Sequence, residues 1–234
     1  MSSINPLSGL AVVRDAVLLC RGCLGPVGEG AEAGLCARCW TGLQPLPEGR
    51  CVRCALVHAE EACPEPGAWD LGDALWDYHG GRPPLGALLL PGIKQGETGW
   101  RRALLGRMAE APLPDWAGEV DRVTSAPSAL PRRVWRGFDL GAEVGRRIAD
   151  RLERPFEPLL AKGWFSGRQA SRTETQRRRL PQKDVRLRRG AEPRGVILLV
   201  DDVWTTGTTL LRCAQALREG GADEVRVLTL FRAL

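Results

Sequence analysis

The stretch that most constrains the fold is a short apolar run that ends in two acids. Residues 196–200 read V-I-L-L-V, and a run rich in β-branched side chains is typical of a strand buried on both faces of a parallel sheet. Asp201 and Asp202 follow at the expected end of this strand, and residues 205–209 then read T-T-G-T-T. This order predicts a strand that leads into a small, hydroxyl-rich turn.

The residues after the turn predict a helix and a second strand. Apolar side chains recur at helical spacing over residues 208–219, and two glycines at positions 220 and 221 mark the end of the helix. Residues 225–231 are again apolar and read as a strand. The three elements form a βαβ unit, so we expect an α/β fold with a parallel sheet flanked by helices.

The turn offers two kinds of chemistry. A Gly/Thr loop at a helix amino terminus presents backbone N–H groups, hydroxyls and the positive end of the helix dipole, which together bind phosphate. Carboxylates repel phosphate but accept hydrogen bonds from sugar hydroxyls, so Asp201 and Asp202 fit a ribose beside the phosphate. Each residue taken alone also fits an ordinary capping role.

The cysteines define a different module near the amino terminus. Seven of the eight cysteines fall between Cys20 and Cys63, and six of them form three C-x-x-C pairs. This spacing favours zinc over disulfides or a redox pair, because two such pairs complete a tetrahedral site. The best-matched zinc site consists of Cys20, Cys23, Cys36 and Cys39. A second site, from Cys51, Cys54, Cys63 and with His58 as a possible fourth ligand, stays open.

Length and charge set further bounds. The 234 residues divide at a Pro- and Glu-containing linker, which predicts a helix plus zinc module over residues 1–67 and a larger domain over residues 68–234. The longest apolar stretch, residues 10–19, is interrupted by Arg14 and Asp15 and is too short to span a membrane, so we expect a cytoplasmic protein. Residues 168–189 carry a net charge of +7, more than the +5 of the whole chain, so the basicity is local.

The run at residues 201–209 resembles the phosphoribosyl pyrophosphate (PRPP) motif of type I phosphoribosyltransferases. The chain as a whole is similar to the ComF (ComFC) family of competence-associated phosphoribosyltransferases, which carry an amino-terminal zinc module of zinc-ribbon or treble-clef type. The resemblance implies that Asp201 and Asp202 contact the ribose hydroxyls. It implies that the 5′-phosphate is held by Thr205, Thr206, Gly207, Thr208 and Thr209. Trp204 departs from the family pattern, and its ring is expected to crowd or reshape the pocket.

Two further segments follow the family pattern. A strand is predicted over residues 120–124, and the resemblance implies a pyrophosphate-binding segment after it, comprising Ser125, Ala126, Arg132, Arg133 and Arg136. Residues 131–139 read P-R-R-V-W-R-G-F-D, which is similar to the family's pattern after this strand. Asp139 is predicted to cap the helix that follows, in which residues 140, 144, 148 and 152 form an apolar stripe. The resemblance also implies a flexible active-site loop containing Gln169, Arg177, Arg178 and Arg179.

Residues 84–108 contain a helix-like apolar series. Within it, Lys94 stands where the family has a lysine, but Gln95 replaces the aromatic residue that usually follows. An ordinary turn lysine is an equal alternative.

The implied activity is transfer of a phosphoribosyl group from Mg²⁺-bound PRPP to an unidentified acceptor, in a protein linked to DNA uptake. An alternative from another class is a non-catalytic, nucleic-acid-binding accessory protein that uses the fold as a PRPP sensor or scaffold. The basic segment at residues 168–189 fits a lid over the pyrophosphate, a contact for single-stranded DNA or a solvated loop.

Overall fold

A computed structural model describes residues 19–59, 63–64, 67–128, 137–162 and 185–233. The strands are β1 (Leu71–Asp77), β2 (Arg122–Ser125), β3 (Leu160–Lys162), β4 (Val185–Leu187), β5 (Val196–Trp204) and β6 (Glu224–Arg232). The helices are α1 (Ala37–Trp40), α2 (Leu85–Lys94), α3 (Thr98–Glu110), α4 (Leu140–Leu152) and α5 (Thr208–Glu219), with a 3-10 helix at Asp115–Glu119.

The centre of the molecule is a four-stranded parallel sheet in the order β1-β6-β5-β2. Alternate residues of β5 face opposite cores, because side chains alternate across a strand. Leu198 and Val200 pack in one core with residues of α2, α3 and α4. Ile197 and Leu199 pack in a second core with α5. The sheet is therefore covered on both faces, and the predicted α/β class is confirmed. The strands β3 and β4 form a separate antiparallel pair.

The βαβ unit at the carboxyl end is confirmed, with α5 at the predicted residues. Three boundaries differ from the prediction. The strand β5 runs on to Trp204, so Asp201 and Asp202 lie within it rather than after it. The predicted strand near residue 120 begins at Arg122. The apolar series before residue 108 is broken by the turn at Gln95, which separates α2 from α3. The amino-terminal helix is expected within the apolar stretch of residues 10–19, and residues 1–18 lie outside the described part of the chain.

The cysteine-rich segment covers the free edge of the sheet. The β1 amides of Asp77 and Gly72 donate to the carbonyls of Gln44 (2.9 Å) and Val52 (2.8 Å), so the segment runs along β1. Cys20, Cys36 and Cys39 belong to the core that contains α2 and α3, whereas Cys54 belongs to the core that contains α5. The segment thereby satisfies edge groups that would otherwise be open to pairing with another chain. Within the described ranges, no helix combines the length and apolar composition that a bilayer crossing needs.

Candidate functional site

The loop between β5 and α5 has the features of an anion site. Gly207 is the N-cap of α5, with φ of 70°, and no side chain caps the first turn. A left-handed φ is easily adopted by glycine, which explains this residue at the tight entry into the helix. The four threonines around Gly207 are exposed, and the hydroxyls of Thr206 and Thr208 lie 3.0 Å apart. A small cavity of about 40 Å³ lies within this loop. The backbone N–H groups of the first turn are thus directed toward an open, hydroxyl-lined space.

The two acids lie at the base of this loop and are paired with a lysine. The ammonium of Lys94 lies 2.7 Å from Oδ2 of Asp202, and the side chain of Asp202 is only 14% exposed. The amide of Asp202 donates to Oδ1 of Asp201 at 2.8 Å. Lys94 is the last residue of α2 rather than a turn residue. The end of α2 therefore places a cation beside the acid pair, whereas the alternative of an ordinary turn lysine predicted no such contact.

A third carboxylate approaches from α4. Asp139 is the N-cap of α4, as the sequence predicts, and accepts hydrogen bonds from the Ala142 amide and the Ser128 hydroxyl. A Cβ atom on Gly141 would lie 3.7 Å from Oδ1 of Asp139 and also 3.7 Å from Oδ1 of Asp201. The start of α4 and the acid pair are therefore close neighbours.

Burial, together with the negative charges of Asp202 and Asp139, raises the pKa of Asp201 to about 7. The Asp202 amide and the charge of Lys94 act in the opposite direction but do not compensate. Asp201 consequently changes its protonation state near neutral pH. Such a perturbed carboxyl group beside an anion-binding loop is typical of a functional site.

A larger cavity of about 610 Å³ adjoins the third carboxylate. Ser125, Ser128 and Asp139 line it on the side of the sheet. Phe156, Leu160, Lys162 and Arg188 line it on the side of the β3–β4 pair, together with Phe138 and Arg146 of the α4 region. It combines apolar and cationic walls and has room for a small organic molecule.

Of the segment predicted to bind pyrophosphate, the structure describes only Ser125 and Ala126. Ser125 ends β2, and the Ala126 amide donates to the Val200 carbonyl at 2.9 Å, so this segment lies beside the acid pair. Arg132, Arg133 and Arg136 lie outside the described residues. The same holds for Gln169, Arg177, Arg178 and Arg179 of the predicted flexible loop.

The ring of Trp204 packs in the core that contains α5. It is fully buried and makes an edge contact with Trp69, with ring centroids 5.4 Å apart. The guanidinium of Arg232 lies 4.5 Å above the Trp204 ring. The ring is thus held in the core on the α5 side of the sheet, and Trp204 also borders the small cavity within the loop, so its expected effect on the shape of this pocket stays a prediction.

The first cysteine cluster has the geometry of a tetrahedral metal site. The ligand atoms of Cys20, Cys23, Cys36 and Cys39 all lie within 4.8 Å of one another. The Sγ atoms of Cys20 and Cys39 are 3.5 Å apart, and those of Cys23 and Cys36 are 3.8 Å apart. Zinc–sulphur bonds of about 2.3 Å in a tetrahedron put sulphur atoms about 3.8 Å apart, so this set fits zinc.

The second cluster, which the sequence left open, is gathered in the same way. Cys51, Cys54, His58 and Cys63 bring their ligand atoms within 4.8 Å of one another. The Sγ atoms of Cys51 and Cys63 are 3.8 Å apart, and Nε2 of His58 lies 2.9 Å from Sγ of Cys54. Nδ1 of His58 is 2.6 Å from the carbonyl of Ala59, an orientation that leaves Nε2 for a metal. His58 therefore lies where it could serve as the fourth ligand, and its role stays a prediction.

The two clusters begin with the same backbone turn. In each, the first cysteine carbonyl accepts from the residue four positions later, Leu24 or Ala55, at 2.9 Å. Both of these residues have a positive φ, 59° and 57°. Although burial opposes it, hydrogen bonds from neighbouring amides lower the pKa of Cys20 to about 6 and that of Cys51 to about 7. One thiol of each cluster is thus prepared to bind a metal as the thiolate.

Three residues of the site were missed or left open by sequence reasoning. Lys94 had a family counterpart as its only signal, and Asp139 was expected only as a helix cap. Arg232 carried no signal, because an arginine at the end of an apolar strand is ordinary. Each gains its place through a contact with a residue at least 60 positions away or on another element, which no local pattern encodes.

Comparison with known proteins finds a family model that matches the carboxyl-terminal part of the chain. Residues 139–234 match the family model described as the phosphoribosyl transferase domain. No curated protein sequence matches the chain significantly. The matched residues include Asp139, the acid pair and the whole loop before α5. This part of the chain is therefore similar to the phosphoribosyl transferase domain.

Several solved structures are similar over part of the chain. A glutamine PRPP amidotransferase from B. subtilis, complexed with ADP and GMP, is 25% identical over 56% of this chain and 26% of its own, with a TM-score of 0.38. An orotate phosphoribosyltransferase from Aeropyrum pernix is 18% identical over 59% of this chain and 63% of its own, with a TM-score of 0.35. An adenine phosphoribosyltransferase from Thermoanaerobacter pseudethanolicus is 18% identical over 63% of this chain and 85% of its own, with a TM-score of 0.32. The match spans about a quarter of the amidotransferase.

Proposed function

We propose that this protein binds PRPP and transfers its phosphoribosyl group to an acceptor. In this assignment the loop of Thr205, Thr206, Gly207, Thr208 and Thr209 holds the 5′-phosphate, and Asp201 and Asp202 accept hydrogen bonds from the ribose hydroxyls. Ser125 and Ala126, with Arg132, Arg133 and Arg136, bind the pyrophosphate together with Mg²⁺. Gln169 and Arg177 to Arg179 belong to the loop that closes over it.

The observation that carries the proposal is the acid pair directly before an uncapped helix amino terminus. A phosphate at Gly207 and a sugar at Asp201 and Asp202 would be adjacent parts of one ligand, and the match to the phosphoribosyl transferase domain covers both. Lys94, 2.7 Å from Asp202, offsets the repulsion between the acids and a polyanionic donor.

Catalysis in this scheme rests on holding both ends of the donor. Fixing the 5′-phosphate and the ribose leaves the C1–pyrophosphate bond as the part that can break, and carboxylates beside the sugar stabilise positive charge that develops at C1. The 610 Å³ cavity adjoins Ser125 and Asp139, and we assign the acceptor to it. Its cationic and apolar walls favour a flat, anionic acceptor.

Membership of the ComF family, a link to DNA uptake, zinc in the cysteine clusters and a cytoplasmic location belong to the same proposal. They rest on the motifs at residues 201–209 and 131–139 and on the paired cysteines. The division into a zinc module over residues 1–67 and a transferase domain over residues 68–234 is likewise proposed from composition.

Calorimetric titration with PRPP and Mg²⁺ tests the donor assignment. We expect one site per chain in the wild-type protein. In the Asp201→Asn/Asp202→Asn variant, affinity should fall at least about tenfold, because the loss of two charged hydrogen-bond acceptors costs more than 1.4 kcal/mol. The matched control is Asp150→Asn, at an exposed position on α4. Unchanged affinity in the double variant would refute the ribose assignment.

A second candidate is a nucleic-acid-binding accessory protein that uses the fold as a PRPP sensor or scaffold. The favouring observation is the charge of +7 over residues 168–189, of which Arg186, Arg188 and Arg189 are described. Single-stranded DNA should then bind with an affinity that falls steeply with salt, because counterions are released from the phosphates. Absence of binding, or binding that is insensitive to salt, would remove this candidate.

A further inference from the structure

The second cysteine cluster is bound to the transferase domain through its backbone. Three successive carbonyls of its first turn each accept a hydrogen bond from that domain. The Val52 carbonyl accepts from the Gly72 amide at 2.8 Å, and the Arg53 carbonyl accepts from Nε1 of Trp69 at 2.8 Å. The Cys54 carbonyl accepts from Nε of Arg232 at 3.0 Å. Three groups of the domain thus fix the position of this turn through direct hydrogen bonds.

Arg232 connects the same turn to the phosphate loop. Its Nη1 donates to the carbonyls of Trp204 at 2.9 Å and Thr205 at 2.6 Å. Arg232 is only 4% exposed, and its guanidinium stacks on the Trp204 ring. One buried side chain therefore joins the carbonyl of a metal ligand, Cys54, to the first residue of the loop assigned to the 5′-phosphate. A planar guanidinium holds such partners in fixed relative positions.

The surrounding packing leaves little room for either end to move alone. A Cβ atom on Gly72 would lie 2.5 Å from the Arg53 carbonyl oxygen and 2.9 Å from the Trp204 ring. Trp69 contacts the Trp204 ring on another side. Close-packed groups transmit displacements, so a shift of the cysteine turn must be taken up by Arg232 and Trp204.

The conformation of this turn is one that a bound metal would stabilise. Ala55 has a φ of 57°, which is unfavourable for a residue with a Cβ atom, and it follows the ligand Cys54 directly. The donor set of three thiols and one imidazole fits zinc. Ligand bonds would fix the turn, and their loss would leave a strained backbone free to relax.

We propose that a metal held by Cys51, Cys54, His58 and Cys63 fixes the phosphate loop through Arg232, which acts as a positioning residue. The first cluster docks elsewhere: Nε1 of Trp100 in α3 donates to the Ala33 carbonyl, and Arg21 pairs with Glu97. Donor affinity should therefore depend on the second metal and be nearly independent of the first. The part that concerns PRPP rests on the proposed function, whereas the coupling to the loop does not.

The first experiment compares matched losses of one metal in the full chain. The His58→Ala/Cys63→Ser variant should retain one metal equivalent of two, exchange the amides of residues 205–209 faster, and bind PRPP about tenfold more weakly, a usual size for coupling between sites. The control is Cys23→Ser/Cys36→Ser, which should also lose one equivalent and yet keep loop exchange and affinity within about twofold. Equal effects in both variants, or unchanged loop exchange after loss of the second metal, overturn the proposal.

The second experiment uses Arg232 itself, and it serves also where a cluster variant does not fold. Arg232→Met should keep both metal equivalents, speed loop exchange and weaken PRPP binding by about the same factor, and Arg232→Lys should restore part of it. Combined with His58→Ala/Cys63→Ser, Arg232→Met should add no further loss, because both changes break one connection. Losses that multiply contradict the coupling. If the wild-type protein binds no PRPP, the proposed function fails, and amide exchange still decides the coupling.

Discussion

At the scale of single residues, the surroundings of Asp201 disfavour its ionised form. It is partly buried in β5, between the charge of Asp202 and that of Asp139, and its pKa is raised from the usual 3.8 to about 7. A carboxyl group in such a position lowers stability when it ionises. This arrangement is expected where a residue serves to bind a ligand rather than to stabilise the fold.

The pH dependence of stability follows from this shift. Between pH 3.8 and about 7 the folded state holds a proton that the unfolded state has lost, so the stabilisation from the protonated group is complete below pH 3.8 and is lost as pH rises through 7. Asp201→Asn removes the ionisation. The variant should therefore gain stability relative to wild type as pH rises from 5 to 8, by roughly 2 kcal/mol. Urea unfolding of both proteins at the two pH values measures the difference, and a difference independent of pH would show that Asp201 is not perturbed.

At the scale of elements, the sequence predicts what is encoded locally. The apolar run, the Gly/Thr turn and the helical spacing placed the start of β5 and both ends of α5 correctly, because a buried parallel strand and an amphipathic helix have distinct periods. Asp139 was correctly predicted as the cap of α4, since capping depends on near neighbours. The roles assigned to the acids and the threonines remain predictions that the geometry supports.

Other parts of the site depend on contacts between elements. The pairing of Lys94 with Asp202 requires α2 to end beside β5, and no spacing between residues 94 and 202 encodes it. The burial of Trp204 was not predicted, because its neighbours in sequence are loop residues, whereas its neighbours in space are Trp69 and Arg232. The fourth ligand of the second cluster was uncertain for a related reason. His58 lies four residues after Cys54 in an irregular segment, and only the fold of that segment turns it toward the thiols.

At the scale of the whole molecule, the cysteine-rich segment is integrated with the α/β sheet rather than appended to it. It lies along the free edge of β1 and contributes cysteines to the cores on both faces of the sheet. The first cluster supports α3, which follows the helix that carries Lys94, and the second cluster reaches the phosphate loop through Arg232. The amino-terminal segment is therefore connected to α3 directly and to the loop before α5 through Arg232.

The central claim is that the loop before α5 and the acid pair bind one ligand that contains both a phosphate and a ribose. The most direct measurement is calorimetric titration of the wild-type protein, in the presence of Mg²⁺, with PRPP, ribose 5-phosphate and inorganic phosphate in turn. The account predicts one site per chain, affinities that decrease in that order, and displacement of ribose 5-phosphate by PRPP. Equal affinities for ribose 5-phosphate and inorganic phosphate, or no binding of PRPP at millimolar concentration, would contradict it.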